Sequence, residues 1–284
     1  MKNLLLKSNA KINICLNIEG KREDGYHELD MIMVPIELHD SMLLSPIGNR
    51  TDNYVTIDDF SLGETQYNLA TFAIETMQKE FKFDQKFRIN IHKVLPIQAG
   101  LGGGSSNAAF TMKGVNKLLN LKASDEKLID IGKKLGADIP FFIKNKPMRC
   151  QGIGEILTPI TIKNDYWVLI VKPFKGCSTK DIFKISDNAP VKKCNVDDVI
   201  KALEIGDDDM LANSIGNSLE DAAIQLVPEI QTVKEELKAL GFKIVLMSGS
   251  GSSVFALSTD KKAIKKASLK FEDDYQVAVT RIMK

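Results

Sequence analysis

At 284 residues the chain is long enough for one large domain or about two ordinary ones with real cores. Its composition, 44% hydrophobic and 26% charged, is that of a soluble globular protein and excludes disorder and fibrous repeats. A net charge of +1 gives no bulk attraction to nucleic acid or an anionic membrane, so any basic site must be local.

The N-terminal run Leu4, Leu5, Leu6 is too short for a signal-peptide core, and no later run approaches a membrane span. Cys15, Cys150, Cys177 and Cys194 lie far apart without a C-x-x-C pair, and His27, His39 and His92 are too scattered for a zinc site. A reducing cytoplasm is the expected location.

Residues 4–18 alternate from about Lys7 onward, with Ile12, Ile14, Leu16 and Ile18 on one face, which is a strand pattern. "GKREDG", 20–25, is a turn, and 26–38 returns as a second strand. "YVTIDD" and "KFRINIHKV" are further strands, separated by a helix over 67–81. A loop at 95–105 leads into a helix over 106–120. Ser124 then opens another helix as its N-cap, with Asp125 and Glu126 in the first turn and Gly136 as the C-cap. The unbroken apolar run 166–173 predicts a buried strand. Residues 178–241 are mostly helical, "KIVLMSGSGSSVFAL" predicts two short strands around a Gly/Ser loop, and a helix and a last strand follow. The expected class is α+β, in two packed domains, 1–158 and 159–284, with a cleft between them.

The stretch "LPIQAGLGGGSSNAAF", 95–110, sets Gly100, Gly102, Gly103 and Gly104 against Ser105, Ser106 and Asn107 at the mouth of a helix. Glycine removes the Cβ that would hold a ligand off, and the helix start adds unpaired N–H groups and a positive dipole end. These are the parts of an anion site, with phosphate the commonest occupant. No lysine follows Gly104, so the loop is not a Walker motif. Ser105 stands where a dinucleotide fingerprint needs its third glycine. The plain alternative is a flexible surface turn.

Four segments put polar groups where chemistry could use them. In "AKIN", Lys11 and Asn13 share one strand face, either solvated or functional. Tyr26 and His27 of "DGYHELD" are either a packed aromatic with a surface histidine or a ligand pair. Asp138 of "LGADIPFF" is either a turn or N-cap aspartate, or a partly desolvated base. "SGSGSS", 248–253, is either a hairpin turn or a second ligand loop.

In this order, "AKIN", P-x-x-x-G-L-G-G-G-S-S-N, "LGAD" with its apolar-Pro continuation, and "SGSG" resemble the recurring segments of the GHMP small-molecule kinases over nearly the whole chain. Within that superfamily "GLGGGSSNAA", "DGYH" and "GIGEIL" are similar to the branch that acts on a cytidine diphosphate ester of methylerythritol, on the non-mevalonate route to isoprenoids. The resemblance implies a ribosomal-protein-S5-like N-terminal domain, a ferredoxin-like C-terminal domain, and ATP-dependent phosphorylation of a hydroxyl with Mg2+. It implies that Gly100, Leu101, Gly102, Gly103, Gly104, Ser105 and Ser106 hold the ATP phosphates, with Asn68 and Lys93 near its adenosine. By the same transfer Lys11 and Asp138 sit at the transferred phosphate, Ser105 or Ser106 ligates Mg2+, and Asn13, Tyr26 and His27 bind the cytidine diphosphate substrate. The "STKDIF" segment departs from the family's pattern, and Thr179 and Phe183 are carried over as substrate contacts from it. The implied partner is a small molecule, not nucleic acid or membrane, and the oligomeric state, monomer or homodimer, is left open. A homoserine- or mevalonate-type kinase and a catalytically silent ATP-binding relative remain as alternatives.

Overall fold

The computed structural model describes residues 2–48, 51–58, 68–188 and 191–284. In chain order the elements are β1 (Leu4–Lys21), β2 (His27–Ile47), β3 (Tyr54–Ile57), α1 (Leu69–Phe81), β4 (Lys86–His92), α2 (Gly103–Leu118), α3 (Asp125–Gly132), α4 (Ile139–Lys144), β5 (Met148–Gly152) and β6 (Ile156–Pro159). There follow β7 (Trp167–Lys172), α5 (Thr179–Ser186), α6 (Val196–Ile205), α7 (Asp208–Ser214), α8 (Glu220–Leu226), α9 (Glu229–Ala239), β8 (Ile244–Met247), β9 (Val254–Ser258), α10 (Lys261–Ser268) and β10 (Gln276–Arg281). The described residues fall into two compact units: one drawn from 1–10, 39–96 and 102–145, the other from 11–38, 97–101 and 146–284. A cut at 158/159 divides the chain along the sequence, whereas compactness divides it differently because β1 and β2 each contribute residues to both units.

In the first unit β4 pairs antiparallel with β2, Ser41 opposite His92 through Ile47 opposite Lys86, and parallel with β3. Helices α1 and α2 pack together and bury Ala70, Ala73, Ile74 and Met77 of one and Ala108, Ala109, Met112 and Val115 of the other. This i, i+3/i+4 spacing is the stripe that makes a helix of each segment. A Cβ on Gly114 would stand 2.8 Å from Leu44 and 2.9 Å from Leu6, so glycine lets α2 lie close on the strands.

The helix expected over 67–81 runs Leu69–Phe81, and Tyr67 lies outside the described residues. The helix expected over 106–120 begins earlier, at Gly103, because Gly102 adopts φ 72° at the N-cap position and turns the chain into it. Gly103, Gly104, Ser105 and Ser106 therefore form its first turn. Helix α3 opens as the sequence indicates, Ser124 Oγ accepting from Lys127 N at 3.2 Å. It stops at Gly132 rather than Gly136: Leu135 N and Gly136 N both turn back to the Gly132 carbonyl, and a Gly132 Cβ would stand 2.5 Å from Ile139. Helix α4 and strands β5 and β6 have no counterpart in the sequence reading, since six residues with Pro140 at the start show no helical period and "MRCQG" alternates weakly.

In the second unit the first half of β2 pairs antiparallel with β5, and β5 with β6. Strands β7 to β10 form an antiparallel sheet in the order β10-β7-β9-β8, with α9 and α10 packed against its strands. Numbered by appearance that order is 4-1-3-2, with helices after the first and third strands, the split βαβ arrangement of ferredoxin-like folds. The apolar run Val168–Val171 is buried, as its near-unbroken character predicts. Among the described residues no helix is long and apolar enough to cross a membrane.

Because Ser124 satisfies an otherwise orphaned N–H at the start of α3, Ser124→Ala is expected to lower unfolding stability by about 1 kcal/mol, measured by chemical denaturation. An unchanged midpoint would show that the cap carries no weight.

Candidate active site

The glycine loop ends on α2 in the first unit. Ser106 N bonds the Gly102 carbonyl at 2.9 Å, so the N–H groups of Gly103, Gly104 and Ser105 precede the helical ladder and have no acceptor within it. A Cβ on Gly104 would meet nothing within 4 Å, which leaves an open approach to these donors. The two serines differ. Ser106 is fully buried and its hydroxyl donates to the Asn9 carbonyl at 2.6 Å, whereas Ser105 is half-exposed. Of the pair carried over as metal ligands, Ser106 has its hydroxyl committed inside the protein.

Beside this helix start lies a buried carboxylate that the sequence reading missed. Asp40, with its side chain fully buried, accepts from Lys93 Nζ at 2.7 Å, Val94 N at 2.8 Å, Leu95 N at 2.7 Å and Asn107 Nδ2 at 3.2 Å. Asn107 Oδ1 in turn accepts from Ser8 Oγ at 2.6 Å. The carboxylate thus ties the end of β4, the chain leading toward the glycine loop, and α2 to one strand. It holds Lys93 Nζ 3.3 Å from where a Gly103 Cβ would stand, so Lys93 lies at the helix start. Asn68, carried over with Lys93, is the N-cap of α1, its Oδ1 accepting from Ala70 N at 2.9 Å.

Asp138 occupies the N-cap position of α4 but makes no capping hydrogen bond with its side chain, and it is half-buried. The N-cap hydrogen bond weighed for it is absent here.

In the second unit Lys11 and Asn13 are 4% and 1% exposed, which removes the solvated-face alternative. The whole middle of β1 is buried on both faces, and its polar residues are held by specific partners. Lys11 Nζ donates to Asn13 Oδ1 at 2.5 Å and to the Gly100 carbonyl at 2.8 Å. Ser248 Oγ donates to the same carbonyl at 3.0 Å, and Asn13 N donates to Ser248 Oγ at 3.3 Å. The "SGSGSS" segment is a buried turn, with Ser248 N bonded to the Ser253 carbonyl at 2.9 Å. Asn217 Nδ2 holds it through the carbonyls of Met247 and Gly249 at 2.9 and 2.8 Å. A Gly249 Cβ would stand 3.0 Å from Lys11 Nζ, and a Gly100 Cβ 2.0 Å from the Ser248 carbonyl oxygen. Gly100 is therefore required for packing against this turn, while Gly104 has no such constraint. Leu101 is buried, and its carbonyl accepts from Lys11 N at 3.1 Å.

The residues carried over for substrate also gather in this unit. His27 stacks on Phe183, ring centroids 4.6 Å apart and planes 22° from parallel. Its Nε2 meets Asp187 Oδ1 at 2.6 Å, and Lys21 Nζ meets the other carboxylate oxygen at 2.5 Å. Lys21 first and His27 second hold the Asp187 carboxyl below the usual carboxylate range. Tyr26, next to His27, is 57% exposed. Thr179 Oγ1 lies 2.8 Å from Ser250 Oγ, linking α5 to the serine turn. Asp187 also escaped the sequence reading, although Thr179, Phe183 and Asp187 recur at the i, i+4 spacing that puts them on one helix face.

These contacts separate two kinds of glycine. Gly100→Ala combines φ 72° with a backbone clash and is expected to cost at least about 1–3 kcal/mol of stability. Gly104→Ala is expected to fold with unchanged or slightly raised stability, because alanine favours helix by up to ~1 kcal/mol, while weakening nucleotide binding through its Cβ. Thermal melts and nucleotide titrations check both, and full nucleotide affinity in the Gly104 variant would remove that N–H cluster from the ligand site. Asp40→Ala strands Lys93 and two backbone N–H groups, and a loss of about 3–5 kcal/mol in denaturant unfolding is expected.

Residues 68–146 match the family model for the GHMP kinases N terminal domain, and residues 199–276 that for the GHMP kinases C terminal. The chain is 37% identical over 265 residues to a 4-diphosphocytidyl-2-C-methyl-D-erythritol kinase of Lachnoclostridium phytofermentans, covering 92% of this chain and 90% of the relative. It is 37% identical over 254 residues to the protein of that name from Bacillus cytotoxicus, covering 89% and 88%. A solved 4-(cytidine 5'-diphospho)-2C-methyl-D-erythritol kinase superposes with a TM-score of 0.82 at 27% identity, over 99% of this chain and 100% of the other. A homoserine kinase from Cytophaga hutchinsonii, at 18% identity and a TM-score of 0.78 over 100% and 95%, shares the fold. With both family models on one chain and relatives of this identity along nine-tenths of its length, the chain belongs to the GHMP kinase family.

Proposed function

We propose that the protein transfers the γ-phosphoryl group of ATP to a hydroxyl of 4-diphosphocytidyl-2-C-methyl-D-erythritol, giving the 2-phosphate and ADP in isoprenoid precursor synthesis. The observation that carries this reading is the set of relatives named for that kinase, at 35–37% identity over about nine-tenths of both chains. The His27–Phe183 stack supports it from the substrate side, since an aromatic face and a polar ring edge suit a pyrimidine base. A homoserine- or mevalonate-type acceptor has no comparable support, because those neighbours share the fold at lower identity. The N-terminal part, 1–158, carries the phosphate loop and the C-terminal part, 159–284, the ferredoxin-like sheet, in a cytoplasmic protein.

Each residue has a role in this reading. The N–H groups of Gly103, Gly104 and Ser105, with the positive end of the α2 dipole, stabilise the phosphate oxygens and the charge that grows on the leaving ADP. The helix donors supply what a Walker lysine does elsewhere, and Lys93 stands with Asn68 toward the adenosine. Lys11 is buried and pre-oriented by Asn13 and Gly100, and its ammonium steadies the transferred phosphoryl group. Asp138 accepts the acceptor hydroxyl's proton as that oxygen bonds phosphorus and the bond to the β-phosphate oxygen breaks. Asn13, Tyr26, His27, Thr179 and Phe183 hold the cytidine diphosphate substrate. Among the described residues no group of three or more His, Cys, Asp or Glu side chains is placed to hold a metal. Ser105, half-exposed and hard in its oxygen chemistry, fits as the protein ligand for Mg2+, which supplies neutralisation of phosphate charge when bound.

ADP release from ATP is expected with the cytidine diphosphate ester and not with homoserine or mevalonate. Release with either of those alone would replace the substrate assignment. Asp138→Asn should lower turnover by a factor on the order of 10² to 10⁴, and wild-type turnover in that variant would remove Asp138 as the base. His27→Ala should raise KM for the cytidine substrate far more than KM for ATP, and equal effects would take His27 out of the substrate site.

A further inference from the structure

His27 has one ring edge committed and one available. Its Nε2 faces Asp187 Oδ1 at 2.6 Å, while among the described residues Nδ1 has no protein partner. The side chain is 9% exposed, and a half-turn of the ring would take Nε2 off the carboxylate. An ionised carboxylate only accepts hydrogen bonds, so the proton of a neutral imidazole must sit on Nε2 and Nδ1 must carry a lone pair. Lys21 on the second carboxylate oxygen fixes the group from the other side. A neutral ring held in this way presents an acceptor. Cytosine carries a donor, its 4-amino group, where uracil carries a carbonyl oxygen, so the same ring attracts one base and repels the other.

We propose that Asp187 is a positioning residue that sets the tautomer of His27 and thereby makes the site select a 4-amino pyrimidine over a 4-oxo pyrimidine. The inference rests on the reading of His27 as a base contact but not on catalytic turnover. Asp187 follows Phe183 by four residues, so one helix face supplies both the stacking ring and the orienting carboxylate. Asp187→Asn can turn its amide so that it donates to Nε2, which moves the ring proton to Nδ1 and converts the acceptor into a donor.

The test is a binding titration of the whole protein with CDP and with UDP, beside Asp187→Asn and Asp187→Ala, together with the imidazole 15N signals of His27. Wild type is expected to prefer CDP by on the order of a hundredfold and to show the Nε2–H tautomer. Asp187→Asn is expected to lose at least about tenfold of that preference, with the Nε2–H signature lost as well. Equal affinity of the wild type for CDP and UDP, or an unchanged preference in both variants, overturns the proposal. So does an unchanged tautomer in both. Wild type that prefers CDP but phosphorylates no cytidine ester overturns the functional reading and leaves this one supported.

Discussion

The carbonyl oxygen of Gly100 is the point on which the site's geometry turns. It accepts from the buried Lys11 ammonium and from the Ser248 hydroxyl, so it joins the glycine loop, strand β1 and the serine turn. The ammonium of a lysine only 4% exposed survives only where acceptors replace its water, and a backbone carbonyl beside a carboxamide oxygen supplies two of them. The arrangement also explains the glycines around it. Gly100 admits the Ser248 backbone to a distance no side chain would permit, and a Cβ on Gly249 would crowd Lys11 Nζ at 3.0 Å. A charge oriented beforehand in a dry environment is worth more to phosphoryl transfer than one that must reorganise.

Asp40 plays the matching part in the first unit. Its four hydrogen bonds fix the chain from Lys93 to Leu95 and the side chain of Asn107, hence the direction in which α2 presents its first N–H groups. Full satisfaction is what makes a buried carboxylate tolerable at all. The loop that looks like a flexible glycine tract is therefore held rigid at its flanks, and only its open face, around Gly104, is left for a ligand.

The legibility of the sequence follows from the range of the interactions involved. Local signals were readable: the Ser124 cap, the apolar run of β7, the Gly/Ser turn between β8 and β9, and the glycine tract before a helix all declare themselves within a few residues. The start of α2 is not legible because a left-handed glycine at the N-cap leaves no side-chain signal, and the end of α3 because the turn after it closes on the Gly132 carbonyl, with both Gly132 and Gly136 against Ile139. The burial of Lys11 could not be read from alternation, which gives the face of a strand but not what covers it. Asp40 and Asp187 were passed over because their partners lie 53 to 67 and 160 to 166 residues away in the chain.

The identity of the product is the most direct test of the proposed phosphoryl transfer. Incubation of the protein with ATP, Mg2+ and 4-diphosphocytidyl-2-C-methyl-D-erythritol, followed by 31P NMR, should show a new phosphomonoester resonance growing in step with ADP while the substrate's diphosphate signals persist. ADP without that resonance, or cleavage of the diphosphate in its place, would contradict it.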